Sequence, residues 1–249
     1  MSLAPRRIYK RWKARLGIRK RVGELTQELR AVFPQLHSLS PSPREGGFDS
    51  IYFLQDFSRT RFGVMRLNNP WQIRTAVYPH LPRRSPSPTE RIDREWQAYS
   101  VLGPLELSPR PLWRSSDSVV CTYSSFPNLR KIMEQGAADL ATAMTSVFNA
   151  IGRMHDAGIV HLDLSPGNVL VCPQTFQTLL IDFEYECRPE RTFEQNCRFD
   201  WARIIEKTNA RGAILEREPE VALAIESAVR RSDYQQAIRS AIELASRAA

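Results

Sequence analysis

His161-Leu162-Asp163-Leu164-Ser165-Pro166-Gly167-Asn168, followed after a short span by Leu179-Leu180-Ile181-Asp182-Phe183-Glu184, is the stretch from which the rest of the chain can be read. The apolar run Gly158-Ile159-Val160 leads into a loop that offers a carboxylate, Asp163, and five residues later a carboxamide, Asn168. Val169-Leu170-Val171 then reads as a strand, Pro173-Gln174 as a turn, and a second strand ends in another carboxylate, Asp182. Asp or Asn alone in a loop is an ordinary turn former, because its side chain bonds to nearby backbone. Eight residues in register between two apolar strands, with a second carboxylate behind them, carry far more information than either residue alone.

The chemistry that suits this set is phosphoryl transfer. One carboxylate orients and deprotonates an attacking hydroxyl, while a carboxamide and a second carboxylate hold magnesium against the phosphates of ATP. The spacing His-x-Asp-Leu-x-x-x-Asn resembles the catalytic loop of the protein-kinase-like superfamily, and Asp182-Phe183-Glu184 resembles its metal-binding Asp-Phe-Gly. The resemblance implies an α+β, bilobal protein-kinase-like fold with a small β-rich N-lobe containing one helix and a mainly helical C-lobe. It makes Asp163 the catalytic base, Asn168 and Asp182 the metal ligands, and ATP and Mg2+ the cofactors. His161 reads as structural support beneath the loop. Superfamily members carry an aspartate in a later helix that accepts loop backbone N–H groups, and Asp200 in Arg198-Phe199-Asp200-Trp201-Ala202 is the candidate.

Upstream, Arg44-Glu45-Gly46-Gly47-Phe48-Asp49-Ser50 precedes the strand Ile51-Tyr52-Phe53-Leu54. A glycine pair reads either as a hairpin turn or as a loop whose backbone N–H groups approach phosphate closely. It resembles the Gly-Gly-x-Ser-Asn lid of aminoglycoside and choline kinases, departing from it at Asp49-Ser50, and on that reading Gly46, Gly47 and Ser50 bind ATP. Arg66, the cation inside Gly63-Val64-Met65-Arg66-Leu67, is either an edge-strand arginine or the phosphate grip that choline kinases also make with arginine. Ser87-Pro88-Thr89-Glu90 is a capping box with proline at the first helical position, so a helix is expected there. Its stripe is Ile92, Trp96, Tyr99 and Leu102, and Glu95 falls on the same side, where a buried carboxylate calls for a cation such as Arg66. Ile92-Asp93-Arg94-Glu95 and the following Leu107-Ser108-Pro109-Arg110-Pro111-Leu112 again resemble choline kinases. Val119 to Tyr123 reads as the last N-lobe strand, with Tyr123 and Ser125 in the hinge that meets adenine by analogy. A helix from about Ala138 to Ala157, with Leu140, Met144, Val147, Ile151 and Met154 on one face, is expected to be C-capped by Gly158. A second capping box at Ser232 to Gln235 points to closing helices beyond Asp200.

The 249 residues, 42% hydrophobic and 25% charged, suit one two-lobed globular unit. No apolar run reaches the roughly 18 residues of a membrane span, and no signal-peptide core is seen, so a cytoplasmic protein is expected. Cys121, Cys172, Cys187 and Cys197 show no Cys-x-x-Cys spacing and read as reduced, mostly buried small apolar residues. The net charge of +8 resides in residues 1–30, which hold ten basic and two acidic side chains; the remainder carries 25 of each sign. Ile8, Trp12 and Leu16 recur every fourth residue among these cations. Three readings stand for that segment: a solvated helix packed on the first lobe, a helix on the anionic inner face of a membrane, or a nucleic-acid contact. The neutral body argues against a nucleic-acid groove across the fold. The expected parts are a basic helical extension over 1–36, an N-lobe over 37–126 and a C-lobe over 127–249. Nothing in the pattern specifies an oligomeric state.

The acceptor is narrowed by three features. Met154-His155-Asp156-Ala157-Gly158 runs straight into the loop, as in lipopolysaccharide core kinases and protein kinases. Ser165 stands where protein Ser/Thr kinases keep a lysine. Seventeen residues between Asp182 and Asp200, without Ala-Pro-Glu, leave little room for a peptide groove. The expectation is a kinase for a small-molecule or glycolipid, lipopolysaccharide-type hydroxyl; the alternatives are an atypical protein Ser/Thr kinase and a nucleotide-binding pseudokinase scaffold, against which the intact Asp163, Asn168 and Asp182 argue.

Overall fold

In a computed structural model the chain is described over residues 4–43, 49–70, 81–84, 86–135 and 140–208, with side chains from residue 16. In chain order the elements are α1 (Ala4–Val32), β1 (Ser38–Pro41), β2 (Asp49–Gln55), β3 (Arg61–Asn68), β4 (Arg83–Arg84), α2 (Pro88–Leu102), β5 (Pro111–Arg114) and β6 (Ser118–Thr122). They are followed by α3 (Leu129–Glu134), α4 (Leu140–Asp156), β7 (Val169–Val171), β8 (Thr178–Leu180), β9 (Glu186–Cys187) and α5 (Phe193–Thr208). Gly46 and Gly47, the side chains of Ile8 and Trp12, and the capping box at Ser232 lie outside the described residues.

The chain forms two compact units, residues 1–76 with 111–123, and residues 77–110 with 124–249. The first holds an antiparallel sheet in the order β1-β2-β3-β6-β5. Along β3, Gly63, Met65 and Leu67 are buried and alternate with less buried neighbours, the period of two that places Arg66 on the other face from them. Ile18, Leu25, Leu29 and Leu36 form one buried cluster with Tyr52, Leu54, Met65, Leu67 and Val120 of the sheet. From Ile18 onward, therefore, residues within the expected 1–36 extension are core of this unit; a fully buried Leu contributes about 1.5–3 kcal/mol. Arg21 fixes the same helix polar-side, its Nε and Nη2 bonding Asp117 Oδ2 and Oδ1 at 2.8 and 2.9 Å and its Nη1 bonding Glu28 at 2.8 Å.

The second unit contains α2 to α5. Helix α2 starts on the expected capping box: Ser87 accepts from the Glu90 N–H, and the Glu90 carboxylate accepts from the Ser87 N–H at 2.7 Å. Leu140, Met144, Val147, Ile151 and Met154 of α4 are all buried. Gly158, at φ +77°, ends this helix as a left-handed cap, with bonds from Gly158 N–H to His155 O and from Ile159 N–H to Met154 O. Residues 77–110, placed by sequence in the N-lobe, belong with this unit. Their ties to it are specific: β4 pairs with β9, the Leu180 N–H bonds Leu107 O at 2.8 Å, and Arg94 bonds Val160 O at 2.8 Å. The four cysteines are unbridged; Cys121, Cys172 and Cys197 are buried and Cys187 is half-buried.

Candidate active site

The loop is built between α4 and β7 and is held from below by α5. Asp200 of α5, fully buried, accepts the His161 N–H at 2.7 Å through Oδ2 and the Leu162 N–H at 2.6 Å through Oδ1. Its Oδ2 also lies 3.2 Å from His155 Nε2 on α4. A carboxylate that takes two successive N–H groups fixes a backbone turn, and Leu162 accordingly stands at φ +65°. For a residue with a Cβ this costs of order 1–3 kcal/mol, and it persists only where the surroundings over-determine it. His161 is fully buried, its ring 4.5 Å from that of Phe183. The Asp163 N–H donates to His161 Nδ1 at 3.3 Å, so the ring proton resides on Nε2, which donates to Ile181 O at 2.8 Å. His161 thereby links the loop to the residue before Asp182.

Asp163 carries the densest set of contacts. Arg83 Nη1, from β4, donates to its Oδ1 and to Leu162 O, the latter at 2.9 Å. Arg203, from α5, donates to the same Oδ1 through Nε at 3.0 Å and Nη2 at 2.6 Å. Burial pushes the Asp163 carboxyl upward, but the two guanidiniums outweigh burial and hold it below the usual carboxylate range. The side chain is 20% exposed, while those of Arg83 and Arg203 are 7% and 5% exposed. Arg83 is further steadied by lying 4.0 Å over the ring of Tyr185.

Asn168 donates from Nδ2 to Asp163 O at 3.0 Å, which fixes its amide and leaves the carbonyl oxygen as its remaining side-chain ligand. Ile181 N–H bonds Asn168 O at 3.0 Å, so the two candidate metal ligands sit on backbone joined by a hydrogen bond. Asp182, half-buried and at φ +76°, is the second strained residue of the site. Its N–H donates to Tyr99 Oη at 3.3 Å, and Tyr99 in turn donates to the buried Glu95 Oε1 at 2.6 Å. Helix α2 thus positions the Asp182 backbone through Glu95 and Tyr99, while Phe183 packs edge-on against Tyr99 at 5.9 Å. A carboxamide oxygen and a carboxylate are the hard donors magnesium prefers, and a cation that keeps waters and phosphate oxygens needs few protein ligands. Among the described residues no group of three or more His, Cys, Asp and Glu could hold a metal.

The expected nucleotide residues of the first unit are placed separately. Arg66 Nη1 lies 3.5 Å from Asp49 Oδ2, and Ser50 Oγ accepts from Asn69 Nδ2 at 2.9 Å. The Tyr123 N–H bonds Phe62 O at 3.0 Å; the boundary between the units follows this residue, and Ser125 beyond it is exposed. Within its own unit Arg66 contacts Asp49, and Glu95 accepts from Tyr99. Arg83, Arg203 and the Tyr99 hydroxyl are absent from the sequence reading. Arg203 follows Asp200 by three residues and so shares its helix face, a spacing that could have found it; Arg83 sits in an irregular Pro- and Arg-rich stretch that offers no such signal.

Sequence comparison matches residues 125–211, a span that includes α3 to α5, to the family described as lipopolysaccharide kinase (Kdo/WaaP). Comparison with curated proteins finds no match. Among solved structures, the Rio2 kinase of Chaetomium thermophilum, in a complex with ADP/Mg2+ and phosphoaspartate, superposes with a TM-score of 0.56 at 15% identity, over 92% of this chain and 77% of that one. The fold is protein-kinase-like, and the chain is a protein-kinase-like phosphotransferase, a kinase by class. The family similarity is to kinases of lipopolysaccharide, and it covers the part of the chain that holds Asp163, Asn168, Asp182 and Asp200.

Proposed function

We propose that the protein transfers the γ-phosphoryl group of ATP to a hydroxyl of a small-molecule or glycolipid acceptor of the lipopolysaccharide type, with Asp163 as base and Asn168 and Asp182 as magnesium ligands. The observation that carries this reading is the Asp163 carboxylate, ionised and partly exposed, on a loop whose backbone carbonyl also anchors Asn168. Magnesium, when bound, would bridge the phosphates and neutralise charge that develops on them. Asp163 orients the acceptor hydroxyl and takes its proton, while Tyr99 and Glu95 keep Asp182 in its left-handed conformation. Gly46, Gly47, Ser50, Arg66, Tyr123 and Ser125 are proposed to bind the nucleotide.

A non-peptide acceptor is favoured by the segment after Asp182. Within ten residues it has formed β9, paired Arg84 with Glu186, and entered α5 at Phe193, so little chain is available to bind an extended peptide. The family similarity favours a sugar hydroxyl on a glycolipid. We further propose a cytoplasmic protein that approaches the inner membrane face through the cationic half of α1; no described helix is long and apolar enough to cross a membrane. Incubation with γ-labelled ATP, magnesium and, in separate arms, lipopolysaccharide core glycolipid, small sugar alcohols and a basic protein substrate tests the acceptor. Label in the glycolipid or sugar arm is expected. Label in the protein arm alone would replace this reading with that of a protein kinase.

A further inference from the structure

A buried arginine that neutralises an aspartate ordinarily presents its fork to both carboxylate oxygens, the geometry of a bidentate pair. Asp163 is held differently. Three guanidinium N–H groups, one from Arg83 and two from Arg203, converge on Oδ1. Among the described residues Oδ2 receives no hydrogen bond. The two arginines come from elements remote in sequence, β4 and α5, and each is itself anchored. Arg83 is held by the Cys187 pairing, the Tyr185 ring and Leu162 O, and Arg203 lies on the helix that already grips the loop through Asp200. One guanidinium would satisfy the charge of the carboxylate. The second, with the backbone of residues 161 and 162 already fixed, removes rotation of the Asp163 side chain. Fixing one oxygen of a carboxylate whose backbone is fixed also fixes the other.

We propose that Arg83 and Arg203 are positioning residues for phosphoryl transfer, which pin Asp163 Oδ1 so that Oδ2 alone meets the attacking hydroxyl. This rests on the phosphotransferase reading above and goes beyond it in assigning two residues outside the kinase-like motifs. In the step they serve, the acceptor oxygen forms a bond to the γ-phosphorus and the bond from that phosphorus to the β,γ-bridging oxygen breaks. ADP leaves, and the hydroxyl proton passes to Asp163 Oδ2. With water in place of the acceptor the products are ADP and inorganic phosphate, and the same pinned oxygen takes the proton.

The test uses full-length protein with Mg-ATP and water as acceptor, so it does not depend on the natural one. Wild type, Arg203→Lys, Arg83→Lys and Arg203→Ala are compared for Mg-ATP affinity by calorimetry, for phosphate release at saturating nucleotide, and for melting temperature. Affinity is expected to remain within a few-fold. Phosphate release is expected to fall by about 100-fold, the cost typical of a reacting group displaced by an ångström. Millimolar guanidinium ion should restore part of the rate in Arg203→Ala, because it can occupy the vacated place beside Oδ1. Should Arg203→Ala not fold, the lysine variants carry the test, since lysine keeps the charge but cannot aim two N–H groups at one oxygen from a rigid fork. Lysine variants that release phosphate at the wild-type rate overturn the proposal. So does a loss of rate that merely follows a loss of affinity and melting temperature without guanidinium rescue, because that is the behaviour of a structural ion pair. Wild type that binds Mg-ATP yet releases no phosphate overturns it too, whereas wild type that binds no Mg-ATP refutes the phosphotransferase reading itself.

Discussion

At the scale of single residues, the site separates tasks among carboxylates by what each one touches. Asp200 accepts two backbone N–H groups, Glu95 accepts a tyrosine hydroxyl, and Asp163 is gripped at Oδ1 by two guanidiniums while Oδ2 takes no hydrogen bond among the described residues. Asp163→Asn should therefore leave Mg-ATP binding within a few-fold and lower phosphate transfer by about 10²–10⁴-fold, the range typical of a proton-transfer group. Parallel calorimetry and labelled-ATP turnover would show this; an unchanged turnover would move the base assignment to another carboxylate. Tyr99→Phe keeps the ring against Phe183 and removes the hydroxyl that joins Glu95 to the Asp182 N–H. It is expected to weaken magnesium-dependent nucleotide binding and to cost about 1–3 kcal/mol of stability, because Glu95 and a strained backbone each lose that bond; retention of both in a melting series would show that Asp182 is held by other means. The loop and strand end that carry Asp163, Asn168 and Asp182 were legible in sequence because turn and strand signals set their spacing. The arginines that grip Asp163 were not, because their contacts span about 80 and 40 residues and no local pattern encodes such a distance.

At the scale of elements, capping and periodicity foretold most of the outcome. The capping box at Ser87, the buried stripe of α4 and the Gly158 cap all follow from short-range rules, and all are present. What local rules could not give is the company an element keeps: α1 reads as a charged helix, yet Leu25 and Leu29 are fully buried in the sheet's core. Leu29→Ala is expected to cost about 2–5 kcal/mol through lost burial and a residual cavity, measurable by denaturant unfolding. A cost below about 1 kcal/mol would mean that the helix does not share that core. The Arg21–Asp117 pair on the same helix sets a pH dependence. Its hydrogen bonds to Arg21, ahead of the opposing effect of burial, hold the Asp117 carboxyl below its usual range. A carboxyl lowered on folding contributes stability that is complete above its unfolded value of about 3.9 and is lost as pH falls through the folded one. Both side chains are 30% exposed, so screening limits the pair to about 1 kcal/mol, or roughly 2–4 °C in melting temperature. The difference between wild type and Arg21→Gln should hold from about pH 5 to 8 and shrink below about pH 4; a difference that grows on acidification would contradict the assignment.

At the scale of the whole molecule, charge and catalysis are segregated. The excess positive charge is confined to residues 1–30, and the first buried side chain of α1 among the described residues is Ile18. Deleting residues 1–15 removes six of the ten basic residues there while sparing Ile18, Leu25 and Leu29. Each basic residue near an anionic surface contributes about 1 kcal/mol, screened by salt, so this truncation should abolish sedimentation with anionic vesicles at low salt. Equal sedimentation of both forms would assign the cationic half of α1 another role. The kinase class was legible from one loop and one strand end, whereas the acceptor was not, because acceptor specificity lies in pocket shape and not in a motif. If Asn168 and Asp182 hold magnesium against ATP for Asp163 to use, thermal unfolding of wild type and Asp182→Ala with Mg-ATP will show it. A ligand that binds only the folded state adds about 2.7 kcal/mol at 100 times its dissociation constant. A shift of that order is expected in the wild type, dependent on magnesium and lost in Asp182→Ala. No shift in the wild type, or an undiminished one in the variant, would contradict it.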